Sequence, residues 1–277
     1  MATVYVGSSA TDLTAVSGWA GLTDGDRVIF AEGSQTITAH ASMSNLDTAG
    51  KNLNKLQFAS TWTGTIGSDS EPFIANCSNG SSPMIVYDAG GGAFYYKPRS
   101  GGTASLIKAI RSGTLNLVDH SGTITQLEQT GSVTTNIADG APVTNLYMDG
   151  GQLNAEYNAT AFTVATIMGG TANIQRGFTT LSIGSSANVK VYSATTSGTV
   201  PTATTVYVYG GKLDWRGGNI TTLYAFSPVD FSNVRNAATV TNLYVTPLAL
   251  AQSKWYSPYA TMTYTNVTIY GSARTTV

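Results

Sequence analysis

Val240-Thr-Asn-Leu-Tyr-Val245 is a six-residue pattern that returns along the second half of the chain. A near-identical copy is Val143-Thr-Asn-Leu-Tyr-Met148, and looser copies keep most of the apolar positions. Eight copies begin 16 to 25 residues apart, with a mean of 20. They occupy residues 124–129, 143–148, 162–167, 178–183, 203–208, 220–225, 240–245 and 264–269. A period of this length predicts a solenoid of stacked repeats.

Within each copy, the fourth and sixth residues lie on one side of a β-strand, because strand side chains alternate between two faces. We therefore predict that Leu181 and Ile183 point inward together, as do Leu243 and Val245. The first residue stands three positions before the fourth, which breaks the alternation and predicts a bend. Glycine pairs after the strands, such as Gly210-Gly211, predict the next corner of each coil.

The composition favours an all-β chain. The 277 residues include 41 Thr and 30 Gly, whereas only 10% are charged. A unit of about twenty residues with one short strand cannot bury its own apolar face, but stacked units can. We therefore predict an all-β parallel β-helix (β-solenoid) with coils of about twenty residues. An antiparallel β-sandwich or propeller is the alternative, since a regular repeat also suits the blades of a propeller.

The first hundred residues repeat less clearly. The stretch Asp24-Gly-Asp-Arg-Val-Ile-Phe-Ala-Glu-Gly-Ser-Gln-Thr-Ile-Thr38 resembles the opening coil of right-handed β-helix proteins. Gly- and Ser-rich segments at 79–83, 89–92 and 100–102 predict long loops or a boundary. We divide the chain into an N-terminal β-rich region at 1–105, read as first coils or a cap, and a β-solenoid with a C-terminal cap at 106–277.

Charge and cysteine content exclude several classes of protein. The net charge is −1 and the 14 basic residues are scattered, so we expect neither a nucleic-acid partner nor a membrane partner. Cys77 is the only cysteine, which excludes an internal disulfide and a multi-cysteine metal site. His40 and His120 stand alone without metal-ligand spacing. The sequence therefore predicts no cofactor and no metal.

The carboxylates do not form a catalytic pattern. β-Helix enzymes that cleave polysaccharides carry acids on neighbouring coils, because two groups must reach one glycosidic bond. Asp149 follows one strand of the repeat, but the equivalent places in later copies hold no carboxylate. Asp214 and Arg216 flank Trp215, and we expect no other carboxylate to stack on them. These acids are interpreted as turn-capping residues, and the chain as a protein without catalytic residues.

The fifth position of the repeat predicts a contact surface. Tyr207, Tyr224 and Tyr244 hold this position in three successive copies, and Tyr147 holds it in an earlier one. Stacked coils would place them in an outward stripe with steps of ~4.8 Å. One interpretation is an aromatic ladder that stabilises the sheet. The other is a contact surface for another subunit or a glycan.

A further aromatic group lies between the last two copies. Trp255, Tyr256 and Tyr259 are of the residue types enriched at protein interfaces, so we predict that they add an anchor to the contact surface. The alternative is that Trp255 caps the final coils of the solenoid.

A weakly charged, cysteine-poor β-solenoid rich in Thr, Gly, Ser and Asn resembles bacteriophage virion proteins, and capsid decoration or auxiliary proteins more than tailspikes. The resemblance implies a non-enzymatic structural protein of the virion, assembled in the host cytoplasm and attached to a phage head. It also implies a homotrimer that contacts a capsid or other virion protein. The alternatives are a glycan-binding adhesin or tail-associated receptor-binding protein, and, ranked last, a polysaccharide-degrading enzyme.

Overall fold

The computed structural model describes residues 1–37, 47–119, 122–157, 160–193 and 200–271. These residues form a parallel β-solenoid of about 12 turns with coils of about 20 residues and almost no helix. Every strand pairing whose register is described is parallel. The predicted β-solenoid is confirmed. The sandwich and propeller alternatives are excluded, because both need antiparallel neighbours.

The chain divides into two compact units. Unit 1 comprises Met1–Asn145 and Gly150–Asn154, and unit 2 comprises Leu146–Asp149 and Ala155–Val277. The division near residue 105 stays a prediction about domain organisation.

Unit 1 contains thirteen named strands, many of them short. Its strands are β1 (Thr3–Val6), β2 (Arg27–Phe30), β3 (Thr36–Ile37), β4 (Asp47–Asn52), β5 (Lys55–Phe58), β6 (Thr65–Ile66), β7 (Phe73–Asn76), β8 (Met84–Tyr87), β9 (Ala93–Lys97), β10 (Thr103–Ala109), β11 (Thr114–Leu117), β12 (Thr123–Thr130) and β13 (Thr134–Ile137). Strand β14 (Val143–Ala155) contributes residues to both units. Two 3-10 turns, Leu13–Ala15 and Trp19–Gly21, lie between β1 and β2.

Two long parallel ladders run through unit 1, and a shorter one joins β4, β7 and β9. One joins β1, β2, β5, β8, β10 and β12, and the other joins β3, β6, β9, β11 and β13. The N-terminal region therefore consists of solenoid coils. Its core is aromatic where the repeat is hard to recognise, since Phe30 stacks on Phe58 at 4.6 Å between ring centroids and Phe58 lies 4.6 Å from Phe94. Such ring pairs add stabilisation beyond the area they bury.

Unit 2 contains the later copies of the repeat. Its strands are β15 (Phe162–Ile174), β16 (Phe178–Tyr192), β17 (Ala203–Val208), β18 (Lys212–Arg216), β19 (Ile220–Ala225), β20 (Val229–Asp230), β21 (Ala238–Val245) and β22 (Met262–Ile269). The short helix α1 (Pro247–Gln252) follows β21. Its N-terminus is capped by the Thr246 side chain, which accepts a hydrogen bond from the Ala249 N–H.

The six-residue pattern sets the register in unit 2. Fourth-position residues pair in one column, and this column includes Leu181, Leu223 and Leu243. All three are buried, as is Leu146 of β14. The first position is also inward, so its predicted break of the alternation is present in the structure. The inward column of first positions is Phe162, Phe178, Ala203, Ile220 and Val240.

The last copy departs from this burial. Val267 and Ile269 hold the fourth and sixth positions of β22 and are 53% and 43% exposed. Strand β22 pairs with β21 on one side, and no described coil covers its other side. The repeat therefore predicts inward orientation correctly, but burial also requires a neighbouring coil.

Candidate functional site

The outward positions of the repeat build one surface of unit 2, which we call the unit-2 face. It consists of the second, third, fifth and seventh residues of each copy on β15, β16, β17, β19, β21 and β22. The register places the fifth residues in a single column. That column reads Thr166, Ser182, Tyr207, Tyr224, Tyr244 and Thr268.

The three tyrosines of this column stack on each other. The ring centroids of Tyr207 and Tyr224 are 4.8 Å apart with planes 7° from parallel. Tyr224 and Tyr244 are also 4.8 Å apart, with planes 10° from parallel. The predicted stripe thus has the spacing of neighbouring strands in a parallel sheet.

Three further rings widen the stripe. They follow the sixth position of their copies and are Tyr209, Phe226 and Tyr270. Tyr209 stacks on Tyr207 and on Phe226, both at 5.6 Å. Tyr270 stacks on Tyr244 at 5.8 Å. We call these six rings the aromatic ladder. The sequence predicts only that the seventh position lacks carboxylates, so this second column of rings was not expected from it.

Stacking within the aromatic ladder determines which ring atoms are exposed to solvent. Where a ring has a stacked neighbour on both sides, as Tyr224 does, its edge and hydroxyl group remain for contact. Partial burial raises the pKa of Tyr224, and the phenols of Tyr207, Tyr244 and Tyr270 add to the shift. The Tyr224 hydroxyl is therefore neutral at physiological pH.

The unit-2 face carries no formal charge. Its residues are mostly Thr, Tyr, Asn and Ser, with few apolar side chains. They are Thr163, Val164, Thr166, Met168, Thr179, Thr180, Ser182, Gly184, Thr204, Thr205, Tyr207, Tyr209, Thr221, Thr222, Tyr224, Phe226, Thr241, Asn242, Tyr244, Thr246, Thr265, Asn266, Thr268 and Tyr270. Six strands of this width cover roughly 25 Å by 20 Å. A footprint of this size suits a modest protein interface.

The remaining interface candidates lie in different surroundings. Trp255 packs on Phe231 at 5.8 Å and on Tyr264 at 5.9 Å, and its Nε1–H donates to the Leu250 carbonyl at 2.9 Å. These contacts are those of a residue that caps the final coils, which is the alternative given for Trp255. Tyr256 and Tyr259 are 74% and 60% exposed, so they do not share this role. Tyr147 is 39% exposed, and no aromatic ring of the described chain stacks on it.

One expectation about the carboxylates was wrong. Asp214 does have a carboxylate beside it, because β18 pairs with β20 and places Asp214 next to Asp230. Each acid is held by a cation. Arg216 donates to Asp214, with Nε 2.9 Å from Oδ2, and Lys254 Nζ lies 2.8 Å from Asp230 Oδ2.

These ion pairs oppose an acid–base role for the two aspartates. Burial disfavours the charged form of Asp230, but hydrogen bonds from Lys254 and Ser232 outweigh it and lower the pKa. A general acid in glycoside cleavage needs a raised pKa, so that it holds a proton to donate. Asp230 is therefore a partner in an ion pair, which links β20 to Lys254.

The remaining features to consider are metal ligands, the cysteine thiol and membrane-spanning helices. Among the described residues, no three His, Cys, Asp or Glu side chains lie close enough to hold a metal ion. His40 and His120 lie outside the described residues. Cys77 is buried, its Sγ lies 3.5 Å from the Asn54 carbonyl oxygen, and burial raises its pKa to about 12, so it is a thiol at neutral pH. No helix in the described ranges is long and apolar enough to cross a membrane.

Comparison with known proteins gave no relative. No protein-family model, no curated protein and no solved structure matches the chain.

Proposed function

We propose that this protein is a non-enzymatic structural component of a virion, which attaches to a phage capsid and assembles there with copies of itself through the unit-2 face. The observation that carries the proposal is the face itself, a charge-free sheet surface with a central aromatic ladder. Large uncharged aromatic groups at the centre of a surface are the usual anchors of protein interfaces.

A second copy suits this face for three reasons. The faces of different copies have the same strand spacing, so where three copies meet around a common axis the side chains of one face can fit between those of its neighbours. Neither face has a charge that must be stripped of water on association. The ring edges and hydroxyls are arranged by intrachain stacking before contact, so little side-chain entropy is lost.

The virion location and the trimer rest on the resemblance to β-helical virion proteins, together with the low charge of the chain. In this proposal the protein is made in the host cytoplasm and becomes part of the phage head. The centre of the ladder does not favour the glycan-binding alternative, because a sugar ring stacks on an open aromatic face and both faces of Tyr224 are covered by Tyr207 and Tyr244.

Assembly is tested by placing a charge in the ladder. Sedimentation velocity at micromolar concentration should show a trimer for the unchanged protein and a monomer for Tyr224→Lys, because every copy would have to bury an ammonium group. Thr222→Lys, on the same face but outside the ladder, should also weaken the trimer. The matched control is Tyr5→Lys, since Tyr5 is 63% exposed on β1 of unit 1. A strict monomer before substitution, or a trimer in all variants, would contradict the assembly.

Attachment is tested by co-sedimentation with phage capsids that lack the protein. The unchanged protein is expected to pellet with the capsids. A protein that stays in the supernatant would contradict attachment to the capsid.

The non-enzymatic part has a separate test. A panel of bacterial polysaccharides should release neither reducing ends nor unsaturated products on incubation with the protein. Product release that disappears in Asp214→Asn or Asp230→Asn, with the fold intact by circular dichroism, would instead establish a polysaccharide-degrading enzyme.

A further inference from the structure

The segment between β21 and β22 interrupts the repeat and forms an open cleft. Eight consecutive residues, Trp255 to Met262, line a cleft of about 460 Å³. The cleft lies entirely within unit 2. Its volume falls in the range of small-molecule sites. None of its residues belongs to the unit-2 face.

Tyr256 offers the cleft an open aromatic surface. Its side chain is 74% exposed, and no ring of the described chain stacks on it. This distinguishes it from Tyr224 at the centre of the aromatic ladder, whose two ring faces are covered by Tyr207 and Tyr244. An open ring face next to a cleft can stack on the C–H face of a flat apolar or sugar ring.

Arg235 places a cation against one of the residues that line the cleft. Its guanidinium lies 5.1 Å from the ring centroid of Tyr259, which lines the cleft. Residues 217–271 contain three charged side chains, Asp230, Arg235 and Lys254. Lys254 is paired with Asp230 at 2.8 Å, whereas Arg235 makes no ion pair with any residue in the described ranges. The uncompensated charge of this region is therefore the Arg235 guanidinium.

We propose that this cleft binds an acidic saccharide. The apolar C–H face of a pyranose ring stacks on Tyr256, and a carboxylate of the sugar pairs with Arg235. Guanidinium groups bind carboxylates with two parallel hydrogen bonds, so a uronic or sialic acid is favoured over a neutral sugar of the same size. The inference is independent of the assembly through the unit-2 face, because the residues differ.

The intrinsic fluorescence of Trp255 can report ligand binding in this cleft. Of the four tryptophans, Trp19, Trp62 and Trp215 are buried with 7% exposure or less, and Trp255 alone is partly exposed and lines the cleft. A ligand in the cleft should therefore change the fluorescence of Trp255 and protect it from a soluble quencher. Saturation-transfer NMR on the ligand gives a second, independent readout.

The experiment titrates the full chain with trigalacturonate and with maltotriose. We expect millimolar binding of trigalacturonate, weaker by about 10-fold in Tyr256→Ala, since one stacked ring and one ion pair carry the affinity. Arg235→Gln should make the acidic and neutral trisaccharides bind equally. The controls are Tyr5→Ala and Arg111→Gln, because Tyr5 is similarly exposed and Arg111 pairs with Asp88 in unit 1.

Three results would overturn the inference. One is no binding of trigalacturonate by either readout, and another is binding that survives both cleft substitutions. The third is equal binding of maltotriose, or preferred binding of an acetylated triglutamate peptide, which would show that the cleft does not select acidic sugars. None of these results affects the trimer, since Tyr256 and Arg235 lie outside the unit-2 face.

Discussion

Leu181→Asp should unfold unit 2 at room temperature or leave it close to unfolding. Leu181 is fully buried in the fourth-position column, between Ala165 and Val206 on the neighbouring strands. A carboxylate at this place would have no cation to pair with and would lose its water. The expected loss is on the order of 3–5 kcal/mol, a large part of the roughly 5–15 kcal/mol that stabilises a typical domain. Urea unfolding followed by circular dichroism measures it.

Thr179→Asp is the matched control. Thr179 lies on the same strand two residues earlier and is exposed on the unit-2 face. The same new charge in solvent should change the free energy of unfolding by about 0.5 kcal/mol or less. An unchanged unfolding midpoint in Leu181→Asp would show that the fourth position does not form the core.

The strands of the repeat in unit 2 could be predicted from the sequence because one strand of every coil keeps the same pattern. Period-two alternation and a fixed spacing were enough to place Leu181, Leu223 and Leu243 in one column. The aromatic stripe followed from the same register, since a column of fifth positions is set by the column of fourth positions.

The pairing of the second strand of each coil could not be predicted in this way. Asp214 and Asp230 are neighbours because β18 and β20 are in register, yet β20 contains only two residues and shares no recognisable pattern with β18. A pair of in-register strands needs only backbone geometry, so side-chain identity need not repeat. The same reasoning applies to unit 1, where the column that begins with Phe30, Phe58 and Tyr87 continues with Ala109 and Gln129.

Glycine-rich stretches were also ambiguous in sequence. The sequence of residues 89–92 predicts a long loop or part of a boundary, but these residues form a corner where one coil passes close to the previous one. The Gly90 N–H donates to the Trp62 carbonyl at 2.8 Å, and the Gly92 carbonyl accepts from the Thr114 N–H at 2.9 Å. A loop and a tight corner need the same residue, and only the register of the coils distinguishes them.

Gly92→Ala is expected to destabilise unit 1 by several times the cost of an ordinary glycine replacement. Gly92 has φ of +72°, and an added Cβ would lie 2.0 Å from the Gly64 carbonyl oxygen and 2.5 Å from that of Thr63. Both oxygens belong to the backbone of the preceding coil, which cannot move without breaking its ladder. We expect a loss of about 3 kcal/mol or more, since backbone strain and a backbone clash add.

Gly101→Ala separates the two contributions. Gly101 has φ of +69°, almost the same as Gly92, but an added Cβ there would meet no atom within 4 Å. Its replacement should cost only the left-handed backbone conformation, about 1–2 kcal/mol. The comparison uses chemical unfolding of both variants, and the difference between them measures how closely the coils approach at Gly92. Equal losses would mean that the coils can separate at this corner without cost, and that Gly92 is required for its φ alone.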